Sequence, residues 1–335
     1  MERLSSTIQS SFPKKRIVIV GDLVADQFLL GTITRVSREA PVFILRHDET
    51  DTRPGAAANA AVNIASLGAE PILIGLAGRD QNGELLLKSL RQPGVNCDSI
   101  VLDPTRKTTT KVRVLAGQHY AARQQVIRID YENASAISER VRQQLLSNFE
   151  SAAREADAII ISDYNYGVAD RSVYELAVNM AKQRAIPLLI DSRFRLSDFP
   201  NATTATPNQD EVEQIIGKDF TVDQCAALRE KLGFKSLLVT CGNQGMLLVQ
   251  AGAEPQTIPA VGSAEPVDVT GAGDTVIAVY ALGLAAGLTF IEAAKIANHA
   301  GGLVVMKKGT ASVTSNELIE SIRAESKFEA VESFV

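Results

Sequence analysis

No stretch of this sequence approaches the run of about 18 apolar residues that a membrane-spanning helix needs. Residues 1–15 are polar where a secretion signal would carry an apolar segment. Cysteine is scarce: Cys97, Cys225 and Cys241 stand far apart, with no CxxC spacing. An odd, scattered set builds neither a disulfide framework nor a metal cluster. Reduced, buried thiols in a cytoplasmic protein are expected, with a catalytic thiol as the alternative. Positive charge is not in excess either. The 34 Lys and Arg against 39 Asp and Glu leave a net charge of −5, which argues against general nucleic-acid binding. Internal repeats and low-complexity stretches are absent. No G-x-G-x-x-G follows the first apolar run, where Gly21-Asp22-Leu23-Val24-Ala25-Asp26 stands instead, so a dinucleotide-dependent oxidoreductase is a poor reading. Core material is in ordinary supply: 45% hydrophobic residues over 335 positions suffice for a large core, in two domains or in one α/β unit.

The run Arg16-Ile17-Val18-Ile19-Val20-Gly21 is β-branched and short, as a buried central strand should be. Similar runs recur at 71–75, 158–162, 187–191 and 236–240, with helix-length segments at 56–67, 83–91, 138–155, 171–184 and 223–232. Strands alternating with helices imply parallel βαβ units with helices on both faces of one sheet. Asp22, Asp163, Asp191 and Thr240 close four of these strands. Ligands of open α/β sheets bind beyond the carboxyl ends of the strands, so these side chains should ring one crevice. Segments 27–53 and 108–131 break the alternation and predict short strands, forming either a small sheet standing off the core or a pair of surface hairpins. The charged tail from Glu325 is expected to be loosely ordered.

The most informative string is Val267-Asp268-Val269-Thr270-Gly271-Ala272-Gly273-Asp274-Thr275, followed by an apolar run of helical spacing. Gly271-Ala272-Gly273 therefore predicts a tight turn opening a helix. Backbone N–H groups at a helix N-terminus lack intrahelical partners and make an anion site. Asp274, placed inside that positive field, is expected to be ionised and ready to accept a proton. An anion cradle touching a base is what phosphoryl transfer to a hydroxyl requires. The plain alternative is a Gly-rich loop with an acidic helix cap.

A second motif lies at Pro54-Gly55-Ala56-Ala57-Ala58-Asn59, and further matches are Gly75-Leu76-Ala77-Gly78-Arg79-Asp80, Thr206-Pro207-Asn208 with Glu211, and Thr240 with Gly242 and Gly245. Together with the string ending in Asp274, these resemble the ribokinase-like (PfkB-type) carbohydrate kinases, in the family's order from about Arg16 to about Leu318. The resemblance implies a ribokinase-like three-layer α/β/α sandwich, with a central mainly parallel sheet and a small β-lid made by 27–53 and 108–131, all in one kinase domain. It implies ATP and Mg²⁺ as cofactors and Asp274 as general base, with N–H groups of Gly271, Ala272 and Gly273 stabilising the transferring phosphoryl group. Asp22 and Asn59 would hold the acceptor, with Gly55 admitting it closely; Asp26 stands four residues beyond Asp22. Asn208 and Glu211 would lie near the triphosphate and its metal water shell, Thr240, Gly242 and Gly245 along the nucleotide, and Asn298 beside the adenine. A cap is the alternative for Asn208. Asp268 and Thr270 match a monovalent-cation site, completed by carbonyls around 308–312, so K⁺ activation is expected unless Asp268 merely pins the turn. The usual Gly-Gly is here Gly55-Ala56, which is expected to narrow the pocket slightly.

Among subfamilies the likeness is to the heptose-7-phosphate kinase domain of bacterial ADP-heptose synthesis. It is carried by Gly21-Asp22-x-x-x-Asp26, Ser37-x-Glu39-Ala40-Pro41-Val42, Arg53-Pro54-Gly55, Thr110-Lys111-x-Arg113, Ile127-Arg128-Ile129-Asp130 and Ser162-Asp163-Tyr164. A phosphorylated acceptor needs cations, and Lys111, Arg113, Arg128, Arg38 and Arg53 are the candidates. Asp163 would add a sugar contact or serve as a cap. Two departures bear on the acceptor. Tyr166 stands where that subfamily has Lys, and Asp191-Ser192-Arg193 replaces Asp-Pro-Lys, with Arg193 a possible substitute cation. No nucleotidyltransferase domain is expected in these residues, so a separate protein would take the product on; the lid suggests a homodimer. The alternatives are another acceptor (fructose, ribose or a nucleoside) or a catalytically silent sugar-phosphate sensor.

Overall fold

The computed structural model of the chain describes residues 2–118, 123–133, 135–263 and 265–332. In chain order its strands are β1 (Arg16–Gly21), β2 (Leu23–Val36), β3 (Phe43–Ala56), β4 (Glu70–Gly78), β5 (Ile100–Asp103), β6 (Thr110–Gly117) and β7 (Gln124–Tyr131). They continue as β8 (Ala158–Asp163), β9 (Leu188–Ser192), β10 (Thr204–Ala205), β11 (Ser236–Thr240), β12 (Met246–Gln250) and β13 (Gln256–Ile258). Nine of them form one sheet in the order β13-β12-β11-β10-β9-β8-β1-β4-β5. From β11 to β5 every pairing is parallel, and β12 and β13 extend that edge antiparallel.

The apolar runs explain this order. Ile17, Val18, Ile19 and Val20 of β1 have no exposed surface, as expected of a parallel strand covered on both faces. Alternation divides them between two cores. Ile17 and Ile19 pack with the helices Ala57–Ser66, Ala272–Ala285 and Phe290–Val304, whereas Val18 and Val20 pack with Glu139–Ala153, Arg171–Arg184 and Val222–Lys231. The sandwich is therefore α/β/α, as expected. The tail departs from expectation. The capping pair Thr314 and Glu317 starts the helix Ser315–Glu332, which covers the expected loose stretch as far as the described residues go; 333–335 lie outside them.

β2, β3, β6 and β7 make a separate four-stranded sheet in the order β3-β2-β6-β7, from the segments that break the βαβ alternation; residues 119–122 lie outside the described residues. β2 and β3 are 14 residues each, longer than the short strands expected. Register sets two charged rows on one face, Arg53–Asp26–Lys111–Asp130 and Asp51–Phe28–Arg113–Arg128. Gly55, near the end of β3, is required for close approach, because a Cβ there would meet the Asp26 carboxylate.

Ala56 is where the family pattern has glycine, and its backbone is strained. It enters the helix Ala57–Ser66 at φ 56° and ψ −132°, a region that favours residues without a Cβ. Ala56→Gly is expected to stabilise the protein by about 1 kcal/mol, the relieved strain exceeding the added freedom of the unfolded chain. Chemical denaturation checks this, and a loss of stability would contradict the strain.

Candidate active site

The turn at Gly271 opens the helix Ala272–Ala285 as the sequence predicts. Gly271 is left-handed at φ 80°, and a Cβ there would run into the Asn59 amide. This close approach joins the two separated motifs. Asn59 Nδ2 donates to Asp274 Oδ2 at 2.9 Å and to the Gly271 carbonyl at 3.3 Å. The other carboxylate oxygen, Asp274 Oδ1, accepts from the Tyr164 hydroxyl at 2.9 Å. Asp274 is only 3% exposed, and its ionisation differs from expectation. Burial pushes its carboxyl up to about 7, outweighing the hydrogen bonds from Asn59 and Tyr164 that favour the anion. Desolvation is the largest influence on this group, which is almost fully buried.

Asp22, the expected sugar clamp, is engaged by the protein's own backbone. Its carboxylate accepts from the backbone N–H groups of Tyr164 (2.8 Å), Tyr166 (3.0 Å) and Val168 (3.1 Å). It thus shapes the loop after β8 that delivers the Tyr164 hydroxyl to Asp274. Burial raises the Asp22 carboxyl to about 6 in spite of these three donors. Asp163 likewise binds groups of the protein itself. It is fully buried, paired with Arg195, and accepts from Ser192 Oγ at 2.7 Å and the Asn165 N–H at 3.2 Å. Ser192, one of the two departures from the heptose-kinase pattern, is therefore a buried partner of Asp163. Arg195 was missed at the sequence level, since nothing in Arg193-Phe194-Arg195 says which guanidinium turns inward.

The charged face of the second sheet sorts the candidate cations. Arg113 is paired with Asp26, Arg128 donates to Asp130 at 2.9 Å, and Arg53 donates to Asp51 at 2.7 Å; Arg38 is exposed. Burial raises the Asp26 carboxyl even against the Arg113 charge. Among the described residues Lys111 has no carboxylate within salt-bridge distance, although it is buried. Its ammonium instead lies 5.7 Å from the ring centroids of both Tyr164 and Tyr166. Burial and then the charges of Arg193 and Arg128 lower the Lys111 pKa, with Asp130 and Asp26 opposing. Tyr166 donates its hydroxyl to Glu132 at 2.7 Å.

On the other side, Thr240, Gly242, Gly245, Asn298, Ala272 and Gly273, six residues expected near the nucleotide or its phosphates, line one cavity of about 200 Å³, whereas Gly271 is not in its lining. Asn298 Nδ2 donates to the Pro259 carbonyl at 2.7 Å. Asn208 and Glu211 are not in its lining. They form a reciprocal cap at the start of the helix Gln209–Ile216, each backbone N–H donating to the other's side chain at 2.9 Å. Burial raises the Glu211 carboxyl to about 7. Asp191, a strand-closing acid given no role from sequence, is raised by burial and then by the charges of Asp274, Glu211 and Asp163.

Asp268 pins the turn. It accepts from the N–H groups of Thr270 and Gly309, both at 2.9 Å, and although burial opposes it, these bonds hold its carboxyl below the ordinary value. The carbonyls expected to complete a monovalent-cation site already accept from the protein's own cations. Arg53 donates to those of Lys308 (2.7 Å) and Thr310 (3.2 Å), and Lys307 to that of Ser312 (2.7 Å). A monovalent ion at Asp268 and Thr270 would share these carbonyls with Arg53 and Lys307.

A family model described as pfkB family carbohydrate kinase matches residues 14–317. The Bifunctional protein HldE of Pelobacter propionicus is 37% identical over 331 residues, which are 96% of this chain and 66% of that protein. The protein of the same name from Proteus mirabilis is 40% identical over 325 residues, 93% of this chain and 65% of its own length. The chain thus spans about two thirds of the length of these curated relatives. Arabidopsis thaliana ribokinase, solved with ribose and ATP, superposes with a TM-score of 0.69 at 21% identity, covering 92% of this chain and 98% of its own. Escherichia coli phosphofructokinase-2, solved with substrates and products, gives a TM-score of 0.73 at 19% identity, with 93% and 99% covered. At such identities these two structures speak to the fold alone: it is ribokinase-like.

Proposed function

The chain belongs to the pfkB family of carbohydrate kinases, and from that premise we propose that it phosphorylates a sugar phosphate from ATP, with heptose 7-phosphate as the leading acceptor. The observation that carries this reading is Lys111, a buried ammonium clasped by Tyr164 and Tyr166 and crowded by Arg193 and Arg128. Arg128 is paired with Asp130, but among the described residues neither Lys111 nor Arg193 has a carboxylate within salt-bridge distance, and a phosphate on the acceptor would supply the missing anion. Tyr166 is then part of the anchor rather than a lost cation, and Arg193 supplies the charge. The likeness to proteins named HldE supports the heptose.

In the proposed mechanism Asp274 accepts the proton of the acceptor hydroxyl as its oxygen attacks the γ-phosphorus. N–H groups of Gly271, Ala272 and Gly273 stabilise the charge spreading over the transferring group. Mg²⁺, held chiefly through ATP and water, would neutralise phosphate charge. Glu211, to which the resemblance gives this role, and Asp191, which feels the charges of Asp274 and Glu211, would hold its water shell, since a divalent cation would relieve the repulsion among these acids. With the Asp274 carboxyl near 7, kcat/KM is expected to rise as the pH passes through that value and the base loses its proton.

ADP release with ATP·Mg²⁺ against heptose 7-phosphate, fructose, fructose 6-phosphate, ribose and adenosine tests the acceptor. Turnover confined to an unphosphorylated sugar would refute the phosphate anchor. Silence across the panel with ATP still bound would favour the sensor. Lys111→Met is expected to lower kcat/KM for heptose 7-phosphate by about 10–100-fold, the worth of a charge-assisted hydrogen bond. It should change rates with unphosphorylated sugars little, and an equal loss on both would remove Lys111 as the anchor. On the second sheet Phe43, Ile127, Ile129 and Tyr131 are exposed, which supports a homodimer through that sheet; sedimentation equilibrium decides it.

A further inference from the structure

Tyr164 touches three parts of the candidate site at once. Its backbone N–H donates to Asp22 at 2.8 Å, its ring lies 5.7 Å from the Lys111 ammonium, and its hydroxyl donates to Asp274 Oδ1 at 2.9 Å. Asn59 holds the other oxygen at 2.9 Å. The carboxylate is thus gripped by two neutral donors from different elements, one on the helix Ala57–Ser66 and one on the loop after β8. The charged groups acting on this region are Asp26, Asp191 and Glu211, all acidic, and Lys111, whose charge already faces the two tyrosine rings. An anion here is opposed by burial and by the acids, so neutral donors matter more than they would in water.

We propose that Tyr164 is the positioning residue of the base. Its hydroxyl fixes Asp274 Oδ1 and favours the carboxylate in a pocket that otherwise favours the neutral acid, while its ring holds Lys111, so that one side chain sets the acceptor's anion anchor relative to the base. The proposal rests on the reading of Asp274 as general base. Burial and the Asp274 charge raise the Tyr164 hydroxyl well above its ordinary value, so it remains a donor throughout the neutral range. Phenylalanine would keep the ring and its contact with Lys111 and delete only the donor, which makes Tyr164→Phe the informative change.

The decisive measurement is the titration of Asp274 by carbon-13 NMR in protein labelled at the aspartate carboxyls, its resonance identified by its loss in Asp274→Asn. Removing the hydroxyl should move the Asp274 midpoint up by about half to one pH unit, the range a single hydrogen bond to the anion supports. Fluorotyrosine at position 164, a stronger donor, should move it down, and it carries the test if Tyr164→Phe does not fold. With ATP·Mg²⁺ and heptose 7-phosphate, the loss in Tyr164→Phe should be about 3–10-fold larger near pH 6 than near pH 8.5. Packing alone would produce a pH-independent loss. A midpoint that stays in place in both variants overturns the proposal. Near wild-type turnover in Asp274→Asn would instead overturn the base, whereas the NMR midpoint would still report the contact.

Discussion

Asp274→Asn is expected to lower turnover by ~10²–10⁴-fold, the usual worth of a general base, while ATP binding stays nearly unchanged. The cavity proposed for the nucleotide is lined by Ala272, Gly273 and Asn298 but not by Asp274, so removing the acid's charge leaves that wall intact. The same variant should be more stable than the native protein at alkaline pH. Burial raises the folded-state carboxyl from an ordinary 3.8 to about 7. Its favourable contribution is therefore fully present below the unfolded value and is lost as the pH rises through about 7, where a charge must sit in the sealed pocket. The neutral amide avoids that charge, and the Tyr164 hydroxyl can turn to accept from it. A gain on the order of 2 kcal/mol is expected above neutrality, shrinking toward the unfolded carboxyl's range as the native acid takes up its proton. Single-turnover kinetics, nucleotide titration and denaturant melts at two pH values check the three parts. A variant with near wild-type rate would remove Asp274 from the mechanism. Equal stabilities at alkaline pH would show that the pocket tolerates the anion.

Arg195→Met is expected to destabilise the protein by about 3–5 kcal/mol, as breaking one side of a buried ion pair does. Asp163 has no exposed surface, and beyond Arg195 it keeps only Ser192 Oγ and the Asn165 N–H. Arg195 also donates to the Ala169 carbonyl at 2.9 Å and stacks 5.6 Å from the Phe199 ring, so packing and pairing are lost together. Methionine retains much of the apolar stem, which makes the uncompensated carboxylate the larger part of the cost. Asp163→Asn combined with Arg195→Met should recover much of the loss, because the amide can remain uncharged beside Ser192. The coupling between the two changes, measured by denaturation as a double-mutant cycle, is the check. Additive losses would mean that the pair is not energetically linked.

The family and the sandwich were legible because they rest on local rules. A β-branched run such as 17–20 can be satisfied only as a buried strand, and Gly271 is demanded by a left-handed turn that a Cβ would block. The two motifs around Asn59 and Asp274 were identified separately, and the structure joins them by a hydrogen bond across 215 positions. Thr240, Gly242, Gly245 and Asn298 were likewise placed near the nucleotide, and they do line one cavity. The internal partners of Asp22 and Asp163 were not legible, because an acid at a strand end looks the same whether it faces a ligand or the protein's own N–H and guanidinium groups. Nothing near Asp163 in the chain announces that Arg195 turns inward to meet it.

By itself the sequence determined the alternation of strands and helices, the tight turn at Gly271 and the kinase family, since each is encoded in short-range periodicity or in residues needing particular backbone angles. Only the tertiary structure decided the protonation of Asp274, the counter-charge of Asp163, the clasp of Tyr164 and Tyr166 around Lys111, and the donors on the carbonyls of Lys308, Thr310 and Ser312. Desolvation and pairing are collective effects of residues far apart in the chain, and they have no value until packing brings those residues together.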